Sequence, residues 1–240
     1  MDNVRILFSG DTSIDVEFGT EIDYTVNRKV QALSHLLESE PIYGVVEIVP
    51  TYRALTVHYL PEKILYHELR EKVEAYIQKA GEMDNDTKEI VEIPVYYGGE
   101  TGPDLSYVAE YNHLTEQEVI DIHTSRDYLI YMLGFTPGFT YLGGMDDRIA
   151  TPRLPSPRQC IPGGSVGIAG KQTGVYPINS PGGWRIIGST PVKFFDPDSD
   201  KPILLKAGQH IKFVAVGKEE YDRIKKLAEE RKYVCTTYLK

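Results

Sequence analysis

Apolar and polar residues alternate over 5–9 and again over 13–18, with Gly10 and Asp11 between the runs, and this period of two predicts a β-hairpin. The period then changes. Ile22, Val26, Val30, Leu33 and Leu37 recur three or four positions apart, which predicts a helix over about 21–38 with one apolar stripe, and Pro41 bars its continuation. Runs 45–49 and 55–59 return to strand character, and Leu65, Leu69, Val73 and Ile77 stripe a second helix. The order strand, strand, helix, strand, strand, helix most simply places both helices on one face of an antiparallel sheet, as a ferredoxin-like α/β sandwich. The polar stretch 81–86 interrupts the pattern. It predicts a boundary between a first domain, 1–85, and a second, 86–240, and marks where a protease cuts first.

Past the boundary, a strand is predicted over 90–97. Asp104 is placed to cap a helix over 105–111, and Thr115 with Glu118 forms a T-x-x-E capping box for a helix reaching about 124. After a strand over 128–133 the chain becomes short β segments punctuated by glycine and proline as far as 216, a pattern that predicts a β-barrel. A charged helix over 219–232 follows, with Tyr221, Ile224 and Leu227 spaced to dock on the barrel, and then a tail expected to fray. The fold class is α+β.

Composition narrows the function classes. At 240 residues, 41% hydrophobic and 25% charged, the chain suffices for one large core or two modest ones. Its net charge of -9, with no basic helix or arm, argues against a nucleic-acid partner. No apolar run approaches the roughly 18 residues of a membrane span, and the first residues lack the basic-then-apolar order of a secretory signal. Cys160 and Cys235 form no CxxC pair and sit with no histidine cluster, which leaves no zinc site or disulfide framework and predicts a cytoplasmic protein. Against this acidic background one stretch stands out. From Arg148 to Lys193 there is no Asp or Glu, while Arg148, Arg153, Arg158, Lys171, Arg185 and Lys193 punctuate a segment rich in glycine and proline. Backbone amides in such a segment can approach a ligand closely, so the working surface is placed here, facing a small anion.

Familiar motifs do not account for it. A phosphate-binding loop ending at Gly170-Lys171 would need glycine in place of Ser165 and Ser or Thr in place of Gln172. Gly163 to Gly167 matches G-x-S-x-G, but the residues after it do not read as the helix a nucleophile elbow requires.

The segments GFTPGFTYLGG at 134–144, PRLPSPR at 152–158, IPGGSVGIA at 161–169, QTGVYP at 172–177 and SPGGW at 180–184 occur in one order, with GGETGPD at 98–104 before them. Together they make a chain that resembles the 5-oxoprolinase B-subunit family, also called allophanate hydrolase subunit 1 or sporulation-kinase inhibitor. Similar sequences usually carry Pro-Ala-Gly-Ser where this chain has Pro162, Gly163, Gly164 and Ser165. The resemblance implies a ferredoxin-like domain followed by a cyclophilin-like barrel of carboxyltransferase type. It implies ATP-dependent opening of 5-oxoproline to glutamate with two partners, a second carboxyltransferase-like subunit and a lactam-utilisation subunit. The alternatives it carries are inhibition of a sensor histidine kinase and allophanate hydrolysis, the latter lacking an amidase serine signature here.

On that reading Arg153 or Arg158 grips the substrate carboxylate, Lys171 meets phosphate oxygens, and the amides of Gly163, Gly164 and Ser165 polarise the lactam oxygen. His123 is the candidate proton carrier, while Gln172, Tyr176, Ser180 and Trp184 are candidates to orient the ligand. Plainer roles stay open for each: surface ion pairs for the cations, a dipole contact for His123 at its helix end, a core anchor for Trp184. ATP and Mg²⁺ belong to the complex as a whole. The stretch holds no carboxylate for the metal, so either Glu100, Asp104 or Asp146 folds over it or another chain supplies the ligands, and no metal ligand is assigned here. A site shared between chains, inactive in this chain alone, is the expectation.

Overall fold

The computed structural model describes residues 4–82 and 87–240, so most of the polar boundary stretch lies outside the described residues. The chain divides into two units, 1–86 and 87–240. In the first, strands β1 (Arg5–Phe8) and β2 (Ser13–Glu17) precede helix α1 (Tyr24–Ser39), and β3 (Val45–Pro50) and β4 (Ala54–Tyr59) precede α2 (Tyr66–Glu82). The four strands form an antiparallel sheet in the order β1-β2-β4-β3. Helix α1 begins later than its apolar stripe because the Asp23 carboxylate accepts from the amides of Thr25 (2.8 Å) and Val26 (3.1 Å), leaving Ile22 outside and 59% exposed. Ile14, Val16, Leu55 and Val57 from the strands meet Val30, Leu33, Leu37, Leu69, Val73 and Ile77 from the helices in one core. Buried Asn27 donates to the carbonyls of Thr51 (3.0 Å) and Tyr52 (3.1 Å), fastening α1 to the β3–β4 turn.

In the second unit β5 (Glu89–Tyr97) leads to α3 (Leu105–Tyr111) and α4 (Glu116–Thr124), whose Thr115–Glu118 capping box is formed as predicted. There follow β6 (Asp127–Leu133), β7 (Thr140–Gly143), β8 (Arg158–Ile161), β9 (Ser165–Ala169), β10 (Gln172–Val175), β11 (Ser180–Gly182), β12 (Arg185–Ser189) and β13 (His210–Ala215). Helix α5 (Lys218–Glu229) and β14 (Thr237–Leu239) complete the unit. The main sheet runs β10-β9-β12-β5-β13-β6-β7, and its two ends lie side by side, Gly174 of β10 leaving room beside the Thr140 carbonyl of β7, so the sheet is nearly closed into a barrel. Strands β8 and β11 form a separate two-stranded ribbon.

Tyr128, Phe194 and Phe213 are fully buried in the barrel core, each side chain contributing about 1.5–3 kcal/mol of burial. The expected fraying of the tail is corrected. Thr237, Tyr238 and Leu239 pair antiparallel with Val91, Ile90 and Glu89, and Lys240 forms an ion pair with Asp127 at 2.8 Å. Among the described residues no helix is long and apolar enough to cross a membrane.

Candidate functional site

A groove of about 810 Å³ opens on the second unit. Its rim begins with the short turn Gly99–Thr101 that follows β5 and continues through the β8–β9 loop, the segment after β10, the segment after β12 and one face of α5. The β8–β9 loop is built by its backbone. Ser165 N donates to Pro162 O (3.2 Å) across a turn that puts Gly164 at φ +88°, where a Cβ would lie 2.5 Å from the Thr190 carbonyl. Only glycine fits there. Gly163 has ordinary backbone geometry, but a Cβ would lie 3.2 Å from the Pro177 carbonyl and 3.3 Å from Ile178 Cα, so an alanine there requires that backbone to shift by a few tenths of an ångström.

Of the predicted site residues the groove gathers Arg158, Gly163, Gly164 and Ser165. Arg158 is pinned: Nη2 donates to Asp104 Oδ1 at 2.9 Å and lies 2.9 Å from Oδ2, Nη1 donates to the Trp184 carbonyl at 3.2 Å, and the side chain stays 32% exposed. Asp104 is correspondingly not the side-chain cap expected for α3. It is buried, accepts from Ile186 N at 2.7 Å and lies 3.9 Å from the Arg185 guanidinium, which stacks on the Tyr107 ring at 3.7 Å. A carboxylate removed from water is tolerated where charge-assisted hydrogen bonds surround it, and here they also fix a guanidinium on the groove wall.

The proposed amide cradle requires correction. Gly163 N donates to Asn179 Oδ1 (2.8 Å), Gly164 N to Tyr176 O (2.7 Å) and Ser165 N to Pro162 O, so all three amides are spent within the protein. The G-x-S-x-G segment runs into strand β9, not a helix, and Ser165 is nearly buried at its start. Lys171 sits on the β9–β10 turn, away from the groove lining, in an exposed pair with Asp147 at 2.7 Å.

Arg153 is exposed, with Cζ 6.0 Å from the Trp184 ring. Trp184 and Tyr176 pack with Phe139, Ile161, Ala169 and Ile186 in a small apolar cluster, and buried Ile161 and Ile186 back the groove wall. Burial pushes the Tyr176 phenol up. Gln172 is half-buried at the start of β10, and Ser180 is buried at the start of β11 with Oγ 3.4 Å from Ile178 O.

His123 lies fully enclosed, stacked on Phe213 with ring centroids 4.6 Å apart. Thr173 Oγ1 spends its hydrogen on Gly167 O (3.0 Å), so it accepts from His123 Nε2 at 2.8 Å, and Nδ1 then accepts from the Tyr97 hydroxyl at 2.7 Å. Burial drives the imidazole pKa down to about 3. This is a neutral histidine closing a hydrogen-bonded chain in the barrel core, which corrects its placing as a proton carrier for a ligand.

The sequence-level charge inversion largely dissolves in space. Arg148 meets Asp146, Arg158 and Arg185 meet Asp104, and Lys171 meets Asp147, all carboxylates from outside the stretch. Of the carboxylates weighed for a metal, Asp104 and Asp146 are held by arginines, and only Glu100 lines the groove, joined there by Glu229 of α5. Sequence reasoning missed Asp104 as a brace; Lys193, one of the cations of the stretch, does line the groove, but Tyr221, Lys225 and Glu229 were missed as lining. The last three recur every four residues on α5, a spacing that signals one helix face.

Comparison with known proteins places this architecture. Residues 4–205 match the carboxyltransferase domain, subdomain C and D. The 5-oxoprolinase B-subunit of Bacillus subtilis (strain 168) is 47% identical over 226 residues, covering 90% of this chain and 94% of that protein. The crystal structure of PH0987 from Pyrococcus horikoshii is 45% identical with a TM-score of 0.54, covering 90% of this chain and 100% of that one. The crystal structure of TTHA0988 is 34% identical with a TM-score of 0.75 and covers 85% of this chain, which spans 40% of its length. The order of segments along the chain, the nearly closed barrel and the near full-length identity agree: the chain belongs to the 5-oxoprolinase B-subunit family of carboxyltransferase-domain proteins.

Proposed function

We propose that the chain is the B-type subunit of an ATP-dependent 5-oxoprolinase, acting with a second carboxyltransferase-like subunit and a lactam-utilisation subunit to open 5-oxoproline to L-glutamate. The observation that carries this reading is the 47% identity with the Bacillus subtilis protein over nearly the full length of both chains. Ring opening adds water across the lactam C–N bond, the acyl carbon taking the hydroxyl and the nitrogen the proton. The contribution derived for this chain is positional. Arg158, held by Asp104, offers fixed N–H donors to the substrate carboxylate at one end of the groove.

Among the described residues no group of three Asp, Glu, His or Cys side chains gathers to cage a metal ion, and the groove offers only Glu100 and Glu229, so on this reading a partner completes the magnesium site and the chain alone is inactive. The same reading takes the first unit as ferredoxin-like, with the last strand of that motif moved to the front, and the second as cyclophilin-like. Two free cysteines suit a cytoplasmic location.

The test is reconstitution. The purified chain with cognate partner subunits, ATP and 5-oxoproline should form glutamate, and the chain alone should not. Turnover by the single chain would refute the shared site. Failure of every partner combination, with inhibition of histidine-kinase autophosphorylation by this chain, would transfer the assignment to a binding protein.

A further inference from the structure

We propose that the α5 end of the groove is an anion subsite for a phosphoryl-type group, held by Lys193 and Lys225. It deepens the reading above by placing phosphate charge at one end of the groove and substrate carboxylate at the other.

The inference starts from how the cations are neutralised. Around the groove Arg158 is balanced by Asp104, and on α5 Lys218 pairs with Asp222 and Arg223 with Glu220. Lys225 has no ion pair among the described residues, although it lines the groove. Lys193 reaches only Asp196, at 3.9 Å, and that carboxylate already accepts from Arg231 at 2.9 and 3.0 Å. Among the cations lining the groove, these two ammonium groups are the ones left without a close carboxylate partner.

Their surroundings suit an anion. Pro191, Val192 and Phe195 give this end a low-dielectric wall, which strengthens a charge contact over its value in water. Ser189 Oγ and Tyr221 Oη share a hydrogen bond of 3.2 Å. Two hydroxyls joined by one bond keep one hydrogen to donate, and both residues line the groove. Glu229, one turn beyond Lys225, is the carboxylate lining this end, and Asp196, 3.9 Å from Lys193, is already engaged by Arg231, so the two ammonium groups beside the paired hydroxyls favour a compact anion.

Calorimetric titration of the intact chain tests the subsite directly, in one arm with inorganic phosphate and in a second with ATP free of divalent metal. Binding is expected in at least one arm, weakened about tenfold or more by Lys193→Gln with Lys225→Gln and unaltered by Lys226→Gln, a neighbouring α5 lysine that does not line the groove. Binding of ATP alone assigns the subsite to a nucleotide tail, and binding of both assigns it to phosphate in general. No binding in either arm, an unaffected double variant, or an equal loss with Lys226→Gln overturns the proposal. The titration needs neither partners nor turnover, so an anion subsite in a chain that fails to support glutamate formation would sink only the oxoprolinase reading.

Discussion

Asp104→Ala is expected to destabilise the second unit by about 3 kcal/mol. The carboxylate takes a backbone bond from Ile186 at 2.7 Å and two contacts from Arg158 at 2.9 Å, and the side chain is 9% exposed. Leaving the Ile186 amide without an acceptor costs about 1–3 kcal/mol, and breaking a buried ion pair from one side about 3–5 kcal/mol. Arg158 is 32% exposed, so water recovers much of its charge and the lower end of that range applies. Asp104→Asn keeps an oxygen for Ile186 but loses the charge and the acceptor for Arg158, turning an amide N–H toward the guanidinium, for an expected cost of about 2 kcal/mol, below that of alanine. The assay is built in. Trp184 is the sole tryptophan and is buried in the second unit, so its fluorescence in a urea titration reads that unit alone. An alanine variant within about 0.5 kcal/mol of wild type, or an asparagine variant as damaged as alanine, would refute the account of Asp104 as a brace.

Three further outcomes follow from the geometry. The folded pKa of His123, about 3, lies below its unfolded value, so the unfolded state binds the extra proton; stability is full above pH 6.5 and falls by about 1.4 kcal/mol per unit as the pH drops toward 3, and His123→Gln should lose that part of the slope in urea midpoints measured against pH. Gly164→Ala should cost about 2 kcal/mol or more, from a positive φ and a Cβ at 2.5 Å from the Thr190 carbonyl, whereas Gly163→Ala, with an ordinary φ and its nearest backbone atom at 3.2 Å, should cost less, about 1 kcal/mol, in thermal melts. In a reconstituted complex Arg158→Gln should lower kcat/KM for 5-oxoproline at least about tenfold while Lys171→Met leaves it within about twofold; the reverse ranking would restore the phosphate role expected of Lys171 from sequence.

Periodicity made the elements of the first unit legible, because each has one apolar face and two of the unit's three strand pairings join neighbours in sequence, while the start of α1 was set by the Asp23 cap rather than by the stripe. The Thr115–Glu118 capping box was readable for the same reason: all its bonds are local. What sequence could not show is where charges find their partners. Arg158 meets Asp104 across 54 positions and Lys171 meets Asp147 across 24, so a stretch that is basic in sequence is mostly neutralised in space. The glycine amides read as free donors were likewise claimed by distant acceptors, Gly163 by Asn179 and Gly164 by Tyr176. Glycine density predicts close approach of backbone, but not whether the approaching group is a ligand or the chain itself. The α5 wall was hidden because the periodic signal of that helix lies in its apolar residues, while its polar face lines the groove.

The pairing of β14 with β5 bears on the order of folding. Thr237 meets Val91, so the second unit seals its sheet only by closing a loop of nearly its whole length, whereas Ile14 of the first unit meets Phe8 across a short turn. The longer closure costs about 3 kcal/mol more chain entropy, which is returned only after the intervening strands are in place. The first unit should therefore form early, and the second should pass through states in which β5 is already joined to β13 while its other flank stands open at Ile90 and Val91. An unpaired apolar edge of that kind invites intermolecular strand pairing, so shortening the chain before Thr237 should cost more in aggregation during refolding than in the stability of the molecules that do fold.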